Sequence, residues 1–211
     1  MLITKLPFDP LCISMSVERL AQRSPGIHLS SIIKDRLLTA GIQRKVTGGK
    51  PFTAQEQHLL FERGFLWERM VVELTETQEW ISRQIDESAS QHFAAGMAEF
   101  DNVLVRPGEC MLDGIYMTPD ALNMAQYAVE EYKATAIRAK NFDIEARRPE
   151  WLWQACSYAK VFGMNKAIFR IWHVSDNCIT PLLVEWTHAE VDESWRQIRE
   201  HYEFMQNRGR K

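Results

Sequence analysis

The chain has 211 residues, 45% of them hydrophobic and 25% charged, which is the composition of an ordinary soluble globular protein of one domain. Ten Phe, seven Trp and five Tyr exclude disorder for the bulk of the chain. With 25 Lys and Arg against 28 Asp and Glu, the formal net charge is −3, so a uniformly basic nucleic-acid coat is excluded while a local basic groove is not.

Four cysteines (Cys12, Cys110, Cys156 and Cys178) form no C-x-x-C pair. That argues against a zinc ribbon, a disulfide framework or a closed iron–sulfur motif, and for reduced, mostly buried thiols of an intracellular protein. The first twenty residues contain Lys5, Asp9 and Glu18 and no apolar stretch that would serve as a signal-peptide core, and no run of 18 apolar residues occurs. The expectation is a cytoplasmic protein that does not cross a membrane.

In chain order, residues 1–15 read as irregular around Pro7 and Pro10, and a short helical pattern follows Ser16. A helix begins near Ser30 and carries Ile32, Ile33, Leu37 and Leu38; residues 41–52 form a Gly-rich basic loop. Thr53-Ala54-Gln55-Glu56 is a capping box, and the helix it opens runs to about Leu74. A weaker helical pattern covers 77–94. From 100 onward the period changes, and Val103–Val105, Met111–Thr118 and Tyr127–Ala134 read as three strands. Arg106-Pro107-Gly108-Glu109 supplies the first turn, and Thr118-Pro119-Asp120 starts the second connection. Pro149 opens a helix that stops before Gly163. Strands follow at Ala167–Val174 and Leu182–Trp186, then a capping box at Thr187–Glu190 and a helix with Val191, Trp195, Ile198, Tyr202 and Met205 on one face. The fold class predicted is α/β, a mixed central sheet flanked by helices. It forms a single domain over 1–211 with its core at about 28–174 and the C-terminal strand and helix (179–206) packed on it.

Acidic residues inside strands are the features that need a chemical reason. Asp113 lies within the second strand, and Glu131 and Lys133 lie two apart in the third, on one face. If those strands are antiparallel neighbours, Asp113 sits beside Glu131. Two carboxylates and an ammonium are costly to desolvate together unless a cation holds the carboxylates, and hard oxygen donors suit Mg²⁺ or Mn²⁺. Taken alone, the E-x-K triplet also fits a salt-bridged strand edge. Strand alternation puts Glu130 outward when Glu131 points in.

Asp113 on one strand followed by Glu131-Tyr132-Lys133 on the next resembles the core of the PD-(D/E)XK nuclease superfamily. Gln154-Ala155-Cys156-Ser157-Tyr158 is similar to the Q-x-x-x-Y helix of its RecB-like and phage lambda exonuclease-like branch. Gly64-Phe65-Leu66-Trp67-Glu68 resembles the upstream helix that offers an acid or His to the metal, and Ser30-Ser31 the Ser-rich start of the first helix. The resemblance covers roughly residues 28–174 and implies the restriction-endonuclease-like αβββαβ core.

Its implications are a Mg²⁺- or Mn²⁺-dependent DNA exonuclease that hydrolyses phosphodiester bonds in phage or prophage recombination or replication. Asp113, Glu131, the Tyr132 carbonyl and Glu68 would hold the metal, and Lys133 would orient or deprotonate water. Gln154 and Tyr158 would position the nucleotide or support the metal. DNA contacts fall to Ser31, Lys34, Arg36, Arg44, Lys45, Arg138 and Lys140, in two basic stretches that also hold Lys50, Arg147 and Arg148. No cysteine group follows the Q-x-x-x-Y helix, so no iron–sulfur cluster is expected. The six histidines show no metal-ligand spacing, and Gly48-Gly49-Lys50 lacks the rest of a phosphate loop. Candidate partners besides DNA are a single-strand annealing protein, a helicase and further copies of the chain. An endonuclease or junction resolvase of the same fold, and an inactive DNA-binding or assembly protein, remain alternatives.

Overall fold

Two helices precede a run of six strands in the chain, which this computed structural model describes over residues 25–40, 54–74, 78–79 and 104–208. The elements are β1 (Ile27–His28), α1 (Leu29–Thr39), α2 (Ala54–Leu74), β2 (Gln78–Glu79), β3 (Leu104–Arg106), β4 (Cys110–Leu112), β5 (Ile115–Met117), β6 (Ala121–Asn123) and β7 (Ala128–Thr135). They continue with α3 (Ile144–Arg147), α4 (Pro149–Val161), β8 (Lys166–His173), β9 (Cys178–Glu185) and α5 (His188–Arg208). Readings that fall on the Ser16 helix, the 41–52 loop, Arg44, Lys45 and Lys50 lie outside the described residues.

Two mixed sheets are flanked by helices, as the α/β reading anticipates. Six strands run in the order β2-β3-β6-β7-β8-β9, and three in the order β1-β5-β4. In the larger sheet β7 pairs parallel with β8 over seven positions, from Val129↔Ala167 to Thr135↔His173. The two are joined by a crossover through α3 and α4, which is what a parallel pair requires. β6 pairs antiparallel with β7, placing Ala121 opposite Glu130 and Leu122 opposite Val129.

The two faces of β7 are covered by different helices. Val129, Phe169 and Ile171 pack with Ala155, Tyr158 and Ala159 of α4 in the main core. Ala121 and Tyr132 pack on the other side with Trp67 and Val71 of α2. Each such side chain, fully buried, contributes about 1.5–3 kcal/mol for the larger aliphatic and aromatic groups. The last helix is stapled as its sequence predicts: Thr187 Oγ1 accepts the Glu190 N–H (3.2 Å) and Glu190 Oε2 accepts the Thr187 N–H (2.7 Å). Val191, Trp195 and Ile198 are its buried face.

Three expectations change. Met111–Thr118 is not one strand but the hairpin β4–β5, turned at Asp113-Gly114, where φ is 52° and 77°. Two successive positive φ values make a type I′ turn, the two-residue loop that Asp-Gly favours. The strand beside β7 is therefore the short β6, which the sequence reading left inside a connection. The helical pattern over 77–94 fails at its start, where Gln78 and Glu79 pair parallel with Val105 and Arg106. At the far edge β9 begins at Cys178, earlier than the Leu182 boundary, and Pro181 sits within it opposite Arg170. A proline fits a strand only where no partner needs its missing N–H, as on an outer edge. Among the described residues no helix is long and apolar enough to cross a membrane.

Candidate active site

Glu131 lies in the middle of β7, with its neighbours on either side pinned by the β8 ladder, and none of it reaches solvent. Extending the β6–β7 register by one residue puts Asp120 opposite Glu131. Asp120 is fixed there because its Oδ2 accepts the backbone N–H of Tyr132 at 2.7 Å. Lys133, two residues along β7 on the same face, forms an ion pair with Glu131 Oε2. Its ammonium also donates to Gln154 Oε1 at 3.3 Å, and Gln154 Nε2 donates to the Tyr158 hydroxyl at 2.6 Å. Gln154 and Tyr158 are four apart on α4 and share one face of it. From the α2 side comes Glu68, itself buried and ion-paired with Arg106 at the end of β3.

These groups perturb one another strongly. Burial, then the neighbouring Glu131 charge, then Glu68, hold Asp120 well above the ordinary carboxylate range. Burial raises Glu131 as well; Lys133 draws it back down, and Glu68 pushes it up. Burial works against the Lys133 charge, but Glu131, Asp120 and Glu68 outweigh it and leave the ammonium harder to deprotonate than usual. Burial and then the Glu131 charge keep Tyr158 firmly a neutral phenol. Besides the Lys133 ammonium on Oε2 and the Asp120 backbone, nothing meets the Glu131 oxygens among the described residues. A buried carboxylate left in this state costs stability unless something compensates it.

The chemistry of the donors suits a hard divalent cation. Among the described residues no three acidic, His or Cys side chains are drawn together as a ready-made cage. Mg²⁺ does not require one, because it commonly takes one or two protein carboxylates and completes its shell with water and substrate phosphate. Asp120 and Glu131 could supply such a pair, with Glu68 within electrostatic reach of both.

Several residues expected at the site are there: Glu131, Lys133, Gln154, Tyr158 and Glu68 converge. Of the glutamates flanking Glu68, Glu73 is exposed and ion-paired with Arg69 at 2.9 Å, a solvated helix face. Tyr132 contributes its N–H to Asp120, while its ring packs among Trp67, Val71 and Ala121.

Asp113 is not part of the group. The Asp-Gly turn carries it to the tip of the β4–β5 hairpin, in the other sheet. There its Oδ2 accepts the Trp195 Nε1–H at 2.8 Å and lies 3.4 Å from Arg199 Nε. A hollow of about 610 Å³ opens beside it, lined by Leu112, Trp195, Arg196 and Arg199 among others. Most of its charges pair with one another, as in Lys160–Asp192 and Arg196–Glu200, and it shares no residue with the acidic group. Asp120 is the residue that sequence reasoning missed. The signal was the Pro119-Asp120 pair one step before a short apolar strand that turns directly into β7.

Glu130 differs from its expectation too. It is as buried as Glu131, not outward, and is held on the α2 face by Arg170 (Nε at 2.6 Å, the second guanidinium nitrogen at 2.9 Å) and by Asn123 Nδ2 at 2.9 Å. Among the proposed DNA contacts, Ser31, Lys34 and Lys140 are exposed. Arg138 is exposed and lies 3.8 Å from Asp176. Arg36 is turned inward: it donates to Gln197 and stacks 4.4 Å over the Trp153 ring. It is committed to joining α1 with α4 and α5, which removes it from the DNA-facing set.

No protein-family model matches the chain, and no curated protein matches it. Among solved structures it is similar to a protein named SSO0001, at TM-score 0.47 and 11% identity, covering 90% of this chain and 84% of that one. It is similar to an alkaline exonuclease from Laribacter hongkongensis at TM-score 0.40 and 17% identity, covering 92% and 97%. A phage-related exonuclease from Haemophilus somnus 129PT gives TM-score 0.39 and 9% identity, covering 89% and 98%. At these scores and identities the likenesses establish neither a family nor an activity for this chain.

Proposed function

We propose that the protein is a Mg²⁺- or Mn²⁺-dependent deoxyribonuclease that hydrolyses phosphodiester bonds from DNA ends. The observation that carries this reading is half-buried Asp120 beside the buried Glu131, with Lys133 the cation that Glu131 meets on that face among the described residues. The first two letters of the PD-(D/E)XK pattern also find residues in Pro119-Asp120, which strengthens the resemblance that Asp113 had carried less well.

In this mechanism Asp120 and Glu131 would hold the cation, and the Tyr132 carbonyl and Glu68 would be further donors to it. When bound, such a cation polarises the phosphoryl oxygen and lowers the pKa of water. Lys133 enters as an ammonium, a donor that positions the attacking water and stabilises charge on the phosphate. Gln154 fixes the direction of Lys133 by accepting from it, and is itself fixed by the Tyr158 hydroxyl. The exposed Ser31, Lys34, Arg138 and Lys140 would grip the backbone without reading sequence.

Attack from ends is favoured because Glu68, Gln154 and Tyr158 all bear on Glu131 or Lys133, and they are the set that the resemblance ties to the end-processing branch. The test is digestion of one DNA in two forms with Mg²⁺. Linear duplex should be degraded while the relaxed closed circle resists, and the activity should fall steeply with salt. Equal cutting of both forms would overturn the exonuclease reading, and no cutting of either would overturn the nuclease reading itself.

A further inference from the structure

We infer that the turn of α2 bearing Arg63 and Gly64 seats a DNA strand, with the sugar–phosphate backbone lying against Gly64 and a phosphate on the Arg63 guanidinium. The inference rests on the nuclease reading above and names a surface that would hold its substrate beside the acidic group. Arg63 and Gly64 stand one helical turn before Trp67 and Glu68. Trp67 ties α2 to the larger sheet, its Nε1–H donating to the Arg170 carbonyl at 3.0 Å. Gly64 and Glu68 are four apart and share one face of the helix, an advance of about 6 Å. A strand that touches Gly64 is therefore within reach of the acidic group on which Glu68 bears.

The fold itself gives neither residue a reason. Gly64 has helical backbone, which any residue adopts, and a Cβ added there would meet nothing within 4 Å among the described residues. Alanine would fit and would steady the helix, since glycine loses more chain freedom on folding. A glycine placed where neither φ nor packing asks for one suits the close approach of a ligand backbone. Arg63 is half-buried, and its Nε is shut off from water with no acceptor among the described residues. Burial lowers its pKa, and among the described residues no carboxylate draws it back up. A sheltered guanidinium without an anion costs stability, and a phosphate would remove that cost, its oxygens matching the planar fork. Arg36 also has a sheltered nitrogen, but it donates to Gln197 and stacks on Trp153. Arg63 has no such commitment among the described residues.

Three measurements on the intact chain test the inference without reading turnover. Fluorescence anisotropy follows a labelled linear duplex in Ca²⁺, calorimetry follows Mn²⁺ added to the protein alone, and melting is recorded in EDTA. Arg63→Gln should bind the duplex roughly ten- to a hundredfold more weakly, with a salt slope smaller by about one. It should melt no lower than the parent, because an uncompensated charge is gone. Arg63→Lys, which keeps the charge but not the fork, should restore the slope and part of the affinity. Gly64→Leu obstructs the approach and should weaken duplex binding at least as far as Arg63→Gln does. Gly64→Ala should melt about 2 °C higher than the parent and yet bind the duplex more weakly; it takes the place of the leucine variant should that one fail to fold. Mn²⁺ affinity should stay that of the parent throughout, because neither residue is a metal donor. Unchanged duplex affinity in Arg63→Gln or in the Gly64 variant would overturn the inference. A lower melting temperature for Arg63→Gln, or an altered Mn²⁺ affinity in any variant, would make this turn a support for Glu68 and overturn it as well. A parent protein that binds neither Mn²⁺ nor DNA would instead remove the nuclease reading, and the inference with it.

Discussion

Glu130 and Glu131 are adjacent on β7 and equally shut off from solvent, yet they have opposite surroundings. Glu130 receives two hydrogen bonds from Arg170 and one from Asn123, each from a flanking strand. Glu131 meets one ammonium and a second carboxylate. The first arrangement is how a chain keeps a buried charge for structure, since a buried carboxylate is tolerable when its lone pairs are met. The second leaves a stated electrostatic need that a cation fits. Burial alone does not separate the two acids; what surrounds each buried carboxylate does.

Asp120→Asn or Glu131→Gln should cut Mg²⁺-dependent digestion roughly 10³-fold or more, since each removes both charge and a ligand position. The same variants should melt at higher temperature than the parent in EDTA, because they delete a repulsion. A variant that lost activity and also stability would break the comparison. On the other face the signs reverse. Arg170→Ala should cost about 3–5 kcal/mol in urea unfolding, the range for a buried pair that loses one member. A loss under about 1 kcal/mol would mean that Glu130 is not the structural member of the two.

Titration of the metal-free protein sharpens the contrast further. Asp120 and Glu131 have folded-state pKa values raised above those of the unfolded chain. The stability they contribute is full below the ordinary carboxylate range, about pH 4, and is lost as pH rises through the raised values. The melting temperature in EDTA should therefore carry a component that falls from mildly acid to neutral pH. Mn²⁺ should abolish that fall, and Asp120→Asn should flatten it; a pH-independent Mn²⁺ effect would count against the assignment. The smallest effect is expected at Asp113. Asp113→Asn keeps the acceptor for Trp195 and the turn's positive φ, and disturbs only a half-exposed pair with Arg199. A change within about 0.5 kcal/mol in urea unfolding, with digestion unaltered, is the expected result.

The contrast between Asp113 and Asp120 also shows where the sequence is readable. α4 and α5 are legible because Pro149, Gly163 and the Thr187–Glu190 box are local signals, satisfied within a turn of where they stand. Glu131, Lys133, Gln154 and Tyr158 are legible through their likeness to the nuclease pattern, to which strand and helix periods add that each pair shares one face. Asp113 misled because its apolar flank reads as a strand interior, while the Asp-Gly pair within it specifies a hairpin turn. Which acid faces Glu131 depends on which strand pairs with β7, a non-local fact that a three-residue strand such as β6 barely announces. Glu130 reads as outward for a related reason: alternation assigns it a face, but cannot say that α2 covers that face. Arg36 belongs to a basic stretch in sequence and to Trp153 and Gln197 in space.

Pro181 bears on how copies of the chain behave at high concentration. β9 is the outer strand of the larger sheet, and Ile179 and Leu183 are exposed on it. An eight-residue edge with exposed aliphatic side chains is a template for cross-strand self-association and fibre growth. The proline removes one outward donor at the middle of that edge and cuts the template into segments too short to propagate, while the β8 side stays paired along its whole length.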